Sequence, residues 1–162
     1  MSLVIAKKYL KEQNKEDRII TFTISTATVS LAAQALGVRE GQIAKTMAFK
    51  DGSQAMVIIT AGDVKIDNAK FKAEFGFKAR MLTPEETLIH TNHEVGGVCP
   101  FGLKKETTIY LDRSLLNYEI VYPACGDAAS AVRLTPQELS QIVPVQKWID
   151  VCKPKEDKNE SL

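Results

Sequence analysis

The chain has 162 residues, 44% hydrophobic and 25% charged, with a formal net charge of +1. That length suits one domain with a sizeable core, and the near-neutral balance excludes a strongly basic nucleic-acid protein while leaving room for a local basic patch. The longest apolar run, Ala55 to Ala61, is far too short to span a membrane, no basic stretch precedes an apolar segment at the start, and three cysteines without a framework spacing point to a reduced, cytoplasmic protein.

In chain order, Leu3 to Gln13 reads as a helix, with Ser2 as its cap and Leu3, Ala6 and Leu10 on its apolar face. Arg18 to Ile24 alternates as a strand with Ile20, Phe22 and Ile24 on one side. Ser25 or Thr26 then caps a second helix that buries Val29, Ala32, Ala33 and Leu36 and stops at Gly37. Its small residues allow close packing on a sheet. Gly41 to Thr46 leads into Met47 to Lys50, Asp51-Gly52 turns the chain, and Gln54 to Thr60 returns as a hairpin strand. Gly62-Asp63 breaks the pattern. A short helix is predicted over Ile66 to Phe75, closed by Gly76, and then a strand over Phe77 to Leu82. Thr83-Pro84-Glu85-Glu86 is a capping box that opens a helix to about His90.

Strands are predicted over Thr107 to Leu111, Glu119 to Tyr122 and Ala131 to Leu134, with a turn at Ser114 to Asn117. Thr135-Pro136-Gln137-Glu138 repeats the capping box for a helix to about Ile142, and Val145 to Val151 forms a last strand with Trp148 in the core. The expected architecture is a single α/β domain over residues 1–152, around a mixed, mostly antiparallel, curved sheet with surrounding helices, followed by a disordered polar tail over 153–162.

The stretch with the most unusual composition is Asn92 to Lys105. It contains Gly96-Gly97-Val98-Cys99-Pro100-Phe101-Gly102, through which no regular element reads. Glycines let a ligand approach the main chain, and Pro100 stiffens the loop, so its N–H groups can be held facing one way as an anion or oxyanion cradle. The bland alternative is a tight helix-to-strand connection. The loop lacks the Gly-Lys-Ser/Thr ending of a phosphate loop, and no dinucleotide fingerprint or other cofactor motif is present. His90, His93, Cys99 and Cys125 have poor zinc-ligand spacing, and the expectation is no metal. Cys99 with His93 as base is a conceivable thiol site, although a buried loop cysteine is the commoner outcome. Lys45 stands between a glycine-bearing turn and an apolar strand. It either snorkels to water or is held to neutralise negative charge. Lys65, Lys70, Lys72, Lys78, Arg80, Lys104 and Lys105 can border one surface, which matters only for a polyanionic substrate.

Taken together, these motifs resemble the prolyl-tRNA synthetase editing-domain family, the YbaK/ProX-type aminoacyl-tRNA deacylases. The matching residues are Ala27-Thr28-Val29, Ala32-Ala33, Leu36-Gly37-Val38, Gly41 to Thr46, Gly62 to Asp67, Gly96 to Gly102, Tyr110-Leu111-Asp112 and Cys125-Gly126, in order over residues 20–145. The resemblance implies a single mixed α/β domain that acts in trans on mischarged tRNA. Its partner would be the acceptor end of aminoacyl-tRNA, with an aminoacyl-tRNA synthetase as an admissible second, and no membrane or cofactor. It places Lys45 on the family's functional lysine. Gly96, Gly97, Val98, Cys99 and Pro100 fall on its Gly-x-x-x-Pro loop. Phe22, Ser25 and Thr26 fall in its amino-acid pocket, with His93, Phe101 and Gly126 as further substrate contacts.

Members acting on Cys-tRNA(Pro) carry Asp where this chain has Ala131 and Gly-Tyr where it has Asn92-His93, which leans the reading towards Ala, Ser or Thr. No carboxylate or histidine is an obvious general base, and Lys45 would need a pKa near 7 to serve as one. Two other readings stay open: a non-catalytic module that binds tRNA ends or a protein partner, and a Cys99 thiol hydrolase.

Overall fold

The structure is a computed structural model that describes residues 2–155. Helix α1 (Ser2–Glu12) buries Ala6 and Leu10, as the apolar spacing predicts, but Ser2 is its first described residue and its hydroxyl meets the ring of His93. Strand β1 (Ile19–Thr21) is shorter than expected. Its partner β7 (Ser130–Val132) is only three residues long, so the chain leaves the pairing after Phe22, and Ile24 ends up 60% exposed. Helix α2 (Val29–Leu36) is capped by Thr28, whose Oγ1 accepts from the Leu31 N–H, rather than by Ser25 or Thr26. Gly37 stops it in the left-handed region at φ 69°. Ala32 and Ala33 bring this helix close to Ile43.

The hairpin of β2 (Ile43–Asp51) and β3 (Gln54–Ala61) is the centre of the fold. Alternation divides its side chains between two cores. Ala44, Ala48, Val57 and Ile59 face the larger one, with Ala6 and Leu10 of α1 and Leu139 of α5 (Pro136–Ile142). Phe49, Met56 and Ile58 face the smaller one, with Phe71 of α3 (Asn68–Phe75). β3 is covered on both faces, which is why it reads as a continuous apolar run.

The predicted helix from Ile66 divides into strand β4 (Val64–Ile66) and α3, which starts one residue after its Asp67 cap. The strand predicted over Phe77 to Leu82 reduces to a single bridge between Met81 and Phe49, flanked by Lys50 N–H to Arg80 O and Leu82 N–H to Ala48 O. Helix α4 (Pro84–Thr91) and α5 both open with the capping boxes read from the sequence. β5 (Thr108–Asp112), β6 (Tyr122–Pro123) and β8 (Val145–Ile149) complete the main sheet, in the order β6-β2-β3-β5-β8.

The sheet is mixed, as expected. Three of its four pairings are parallel, and the antiparallel pairs belong to the hairpin and to the two small sheets, one of β1 with β7 and one of β4 with residues 152–154. Strand β9 (Cys152–Pro154) corrects the expected tail at its first two residues. Lys153 and Pro154 lie opposite Lys65 and Val64, and Cys152 is buried beside Ile66 in the smaller core. The rest of the expected tail, from residue 156 on, lies outside the described residues. No described helix is long and apolar enough to cross a membrane.

Candidate functional site

Strand β6 pairs with β2 only at Ile43 and Ala44, and the segment before α4 joins β2 only from Ala48 onward. Between these contacts the outer edge of β2 is uncovered, and a cavity of about 210 Å³ opens there. Its walls are Thr26 to Val29 at the head of α2, residues 43–48 of β2, Met81 and Leu82, Ala124, Ser130 and Ala131, and the glycine loop through Gly96 and Val98. Met81 and Val95, 63% and 66% exposed, are large apolar side chains among the lining residues.

Lys45, Gly96, Val98 and Thr26 therefore meet in one cavity, although the chain separates them widely. Lys45 is half-buried on β2, opposite Thr60 on β3. Its ammonium donates to the carbonyl of Val64 on β4, which leaves two N–H donors. Burial pushes its pKa down to about 8, and Lys155 beyond β9 pushes the same way, against Cys152 and Asp63. At neutral pH the side chain is mainly an ammonium and can stabilise an anion. A fraction is neutral, which is the form a base requires. Among the cavity's lining residues there is no carboxylate and no histidine.

The glycine loop is fixed by its neighbours. Gly97 lies against residues 126 and 127, where a Cβ would fall 2.7 Å from Asp127 Cα, and its N–H is taken by Glu94 O at 3.0 Å. Gly97 thus serves the loop by its small size, and its N–H is not free to act as a cradle donor. On the far side of this wall, a second hollow of about 460 Å³ is lined by Gly96, Gly97, Gly126, Asp127, Asn92 and Ser2. Gly126 faces this hollow and α1 rather than the cavity.

The other sequence-predicted residues stand behind the wall. Cys99, Phe101 and His93 have no exposed surface, and Pro100 is buried. The ring of His93 joins Ser2 on α1 to the Phe101 carbonyl, 2.7 Å from its Nε2. With Nε2–H donating there, Nδ1 accepts from the Ser2 hydroxyl. Burial lowers the pKa of His93, so the ring is neutral and acts as a brace between α1 and the glycine loop. Cys99 Sγ is 3.4 Å from Nε2, but burial pushes its thiol well above the ordinary range, which is the reverse of what a thiolate nucleophile needs. Phe101 packs against Tyr9 of α1 with ring centroids 6.1 Å apart. Phe22 is half-buried with its N–H on Ala129 O, and Ser25 is exposed, its Oγ accepting from the Ala27 N–H. Neither lines the cavity. No described His, Cys, Asp or Glu residues cluster in threes to hold a metal ion.

Thr46, Met81, Val95 and Tyr122 line the cavity without a prior expectation. Thr46 was within reach of sequence reading as the neighbour of Lys45. The others come from segments whose proximity only the tertiary fold reveals.

The aminoacyl-tRNA editing domain family matches residues 23–142. The uncharacterised protein YwhH of Bacillus subtilis is 49% identical over 154 residues, 94% of this chain and 98% of that protein. A candidate Cys-tRNA(Pro)/Cys-tRNA(Cys) deacylase of Enterococcus faecalis, EbsC, is 27% identical over 109 residues, 66% of each chain. A crystal structure described as that of a candidate trans-editing enzyme for prolyl tRNA synthetase superposes with a TM-score of 0.85 at 31% identity, over 94% of this chain and 97% of the other. With the family matched across 23–142 and the fold shared, the chain belongs to the aminoacyl-tRNA editing domain family.

Proposed function

We propose that the chain is a trans-acting hydrolase of the cytoplasm that cleaves the ester of tRNA mischarged with a small amino acid, Ala, Ser, Thr or Cys, with tRNA(Pro) as the carrier. The observation that carries this reading is the convergence of Lys45 and the Gly96–Val98 wall on one small, largely apolar cavity. A volume of about 210 Å³ suits a small aminoacyl group. Ala131 is in its lining, at the position where the resemblance places an Asp in members acting on Cys-tRNA(Pro), and this departure favours Ala, Ser or Thr over Cys.

In the reaction, water adds to the ester carbonyl and its oxygen becomes an oxyanion. Collapse of this intermediate breaks the bond to the ribose oxygen, releasing the amino acid and uncharged tRNA. N–H groups at Gly96 and Val98 and the Lys45 ammonium are the available positive partners for the oxyanion. One preorganised donor of this kind is typically worth about 3 kcal/mol. Proton removal from the water falls to the substrate's own groups or to the neutral fraction of Lys45.

The test is a panel of mischarged tRNAs incubated with wild type and Lys45→Ala. The expected result is hydrolysis of small aminoacyl esters by the wild type and loss of about 100-fold or more in Lys45→Ala with an unchanged circular dichroism spectrum. Full activity in the variant removes Lys45 from the mechanism. Cys99→Ser is expected to stay active, and its inactivity with tolerance at Lys45 would reinstate the thiol reading. The lack of a carboxylate or histidine in the cavity lining favours one other reading, a module that binds the charged end without turnover. Protein that binds charged tRNA and leaves every ester intact would establish it.

A further inference from the structure

Among the described residues, Thr46 alone has a buried side-chain polar atom with no hydrogen-bond partner, its Oγ1. Thr46 follows Lys45 on β2 and lines the same cavity. Hydroxyls around it are already engaged within the protein. Thr26 Oγ1 donates to Ala128 O at 3.1 Å, Thr87 Oγ1 to Thr83 O at 2.8 Å, and Ser130 Oγ to Asp127 Oδ1 at 2.6 Å. Ala44 and Ala48 flank Thr46 on the same face of β2, so the floor of the cavity is methyl, hydroxyl-bearing carbon, methyl. Thr46 also stands in the gap on the outer edge of β2, beyond the last contact of β6 at Ala44 and before the bond from Leu82 to Ala48. Folded proteins leave few buried hydroxyls unmet, and one at a ligand cavity calls for a partner from the ligand.

We propose that Thr46 is the specificity-determining residue of this site. Its hydroxyl pairs with the side-chain hydroxyl of the bound amino acid, so seryl and threonyl esters are taken in preference to alanyl ones. The inference rests on the reading of the chain as an aminoacyl-tRNA hydrolase. A seryl or threonyl hydroxyl both donates and accepts, as Thr46 does, whereas an alanyl methyl leaves it unmet. Thr46 is partly exposed while its Oγ1 is not, so the exposed area belongs to its other atoms. One staggered step about χ1 exchanges the hydroxyl with a methyl of similar size. A site built to hydrogen-bond a substrate hydroxyl discriminates against the analogue that lacks it far better than an apolar pocket discriminates by size.

The test compares rates of deacylation of Ser-tRNA, Thr-tRNA and Ala-tRNA by wild type, Thr46→Val and Thr46→Ser. The wild type is expected to favour the hydroxylated esters by about tenfold or more. Thr46→Val is expected to lose that ratio, mainly through slower hydrolysis of the hydroxylated esters, with Tm held or raised because the unmet hydroxyl becomes a methyl of the same shape. Thr46→Ser is expected to keep the ratio. A wild type with no preference for hydroxylated esters, or a Thr46→Val that retains it, overturns the proposal. If the wild type hydrolyses no ester, the hydrolase reading fails separately. Binding of seryl and alanyl 3′-amino-adenosine amides then tests Thr46 alone. A seryl preference lost in Thr46→Val supports the proposal, and equal binding of the two overturns it.

Discussion

Lys45 carries a cost that its position explains. Its pKa falls from 10.5 to about 8, because burial disfavours the ammonium and Lys155 repels it. Below pH 8 the residue is protonated in both folded and unfolded chains, and the full penalty of holding the charge is present. Between pH 8 and 10.5 the folded chain loses the proton first, the unfolded chain binds more protons, and the penalty fades. Lys45→Met is therefore expected to abolish deacylation and raise Tm at pH 7 by about 2–4 °C, the shift that about 1 kcal/mol makes in a domain of this size. The gain should shrink steadily in thermal melts between pH 8 and pH 10.5, and a gain independent of pH would show that Lys45 charge is not its source. The family resemblance singled out Lys45, and the glycine loop was legible in the sequence as a local departure from pattern. Which loop atoms face the cavity was not. Burial of Cys99, His93 and Phe101, and use of the Gly97 N–H by Glu94, depend on how the loop packs against α1 and residues 125–127.

Elements with both ends signalled by their own residues were the legible ones. Thr83 with Glu86, Thr135 with Glu138, and Asp51-Gly52 form as predicted, because each satisfies backbone groups within four residues. Glu138 does more than cap. Its carboxylate accepts from the Thr135 N–H at 3.0 Å and pairs with Arg18 at 2.9 Å and Lys15 at 3.2 Å, which ties the turn before β1 to α5. The Arg18 guanidinium, then the Thr135 N–H, hold its pKa down to about 2. A depressed carboxylate stabilises the fold above its unfolded pKa of about 4.3 and loses that contribution as pH falls towards 2. Glu138→Ala is expected to lose about 1–2 kcal/mol in urea unfolding at pH 7 through the lost cap and ion pairs. Glu138→Gln keeps a residue able to close the box and should lose only about 0.5–1 kcal/mol. Both differences should narrow by pH 3, and a Gln variant as unstable as the Ala one would show that the charge, not the box, dominates. Strand β1 was over-read for the opposite reason, since its length is set by the three residues of β7 across from it.

At the scale of the whole molecule, the sheet order was the least legible feature. Parallel pairs such as β3–β5 and β5–β8 join segments separated by helices, and nothing local marks which strands become neighbours. The same holds for β9. Lys153-Pro154 is a lysine and a proline and reads as tail, yet with Cys152 it pairs with β4 and closes the smaller core over Phe71. This pairing reaches the candidate site, because β4 supplies the Val64 carbonyl that holds the Lys45 ammonium, and Lys155 helps lower its pKa. A chain ending at Val151 removes the only strand partner of β4 among the described residues and leaves Val64 to Ile66 as an unsupported edge. It is expected to lower Tm by about 4 °C or more, from the lost burial of Cys152 and neighbouring apolar area. It should also cut deacylation about tenfold or more, since a displacement of about 1 Å in a positioned group can cost about 100-fold. Its pH–rate profile should move towards higher pH as the Lys45 pKa recovers towards its ordinary value. A chain ending at Lys155 keeps β9 and should match the full chain in all three measurements. Equal activity and an unshifted profile in the chain ending at Val151 would mean that Lys45 is held by β2 alone.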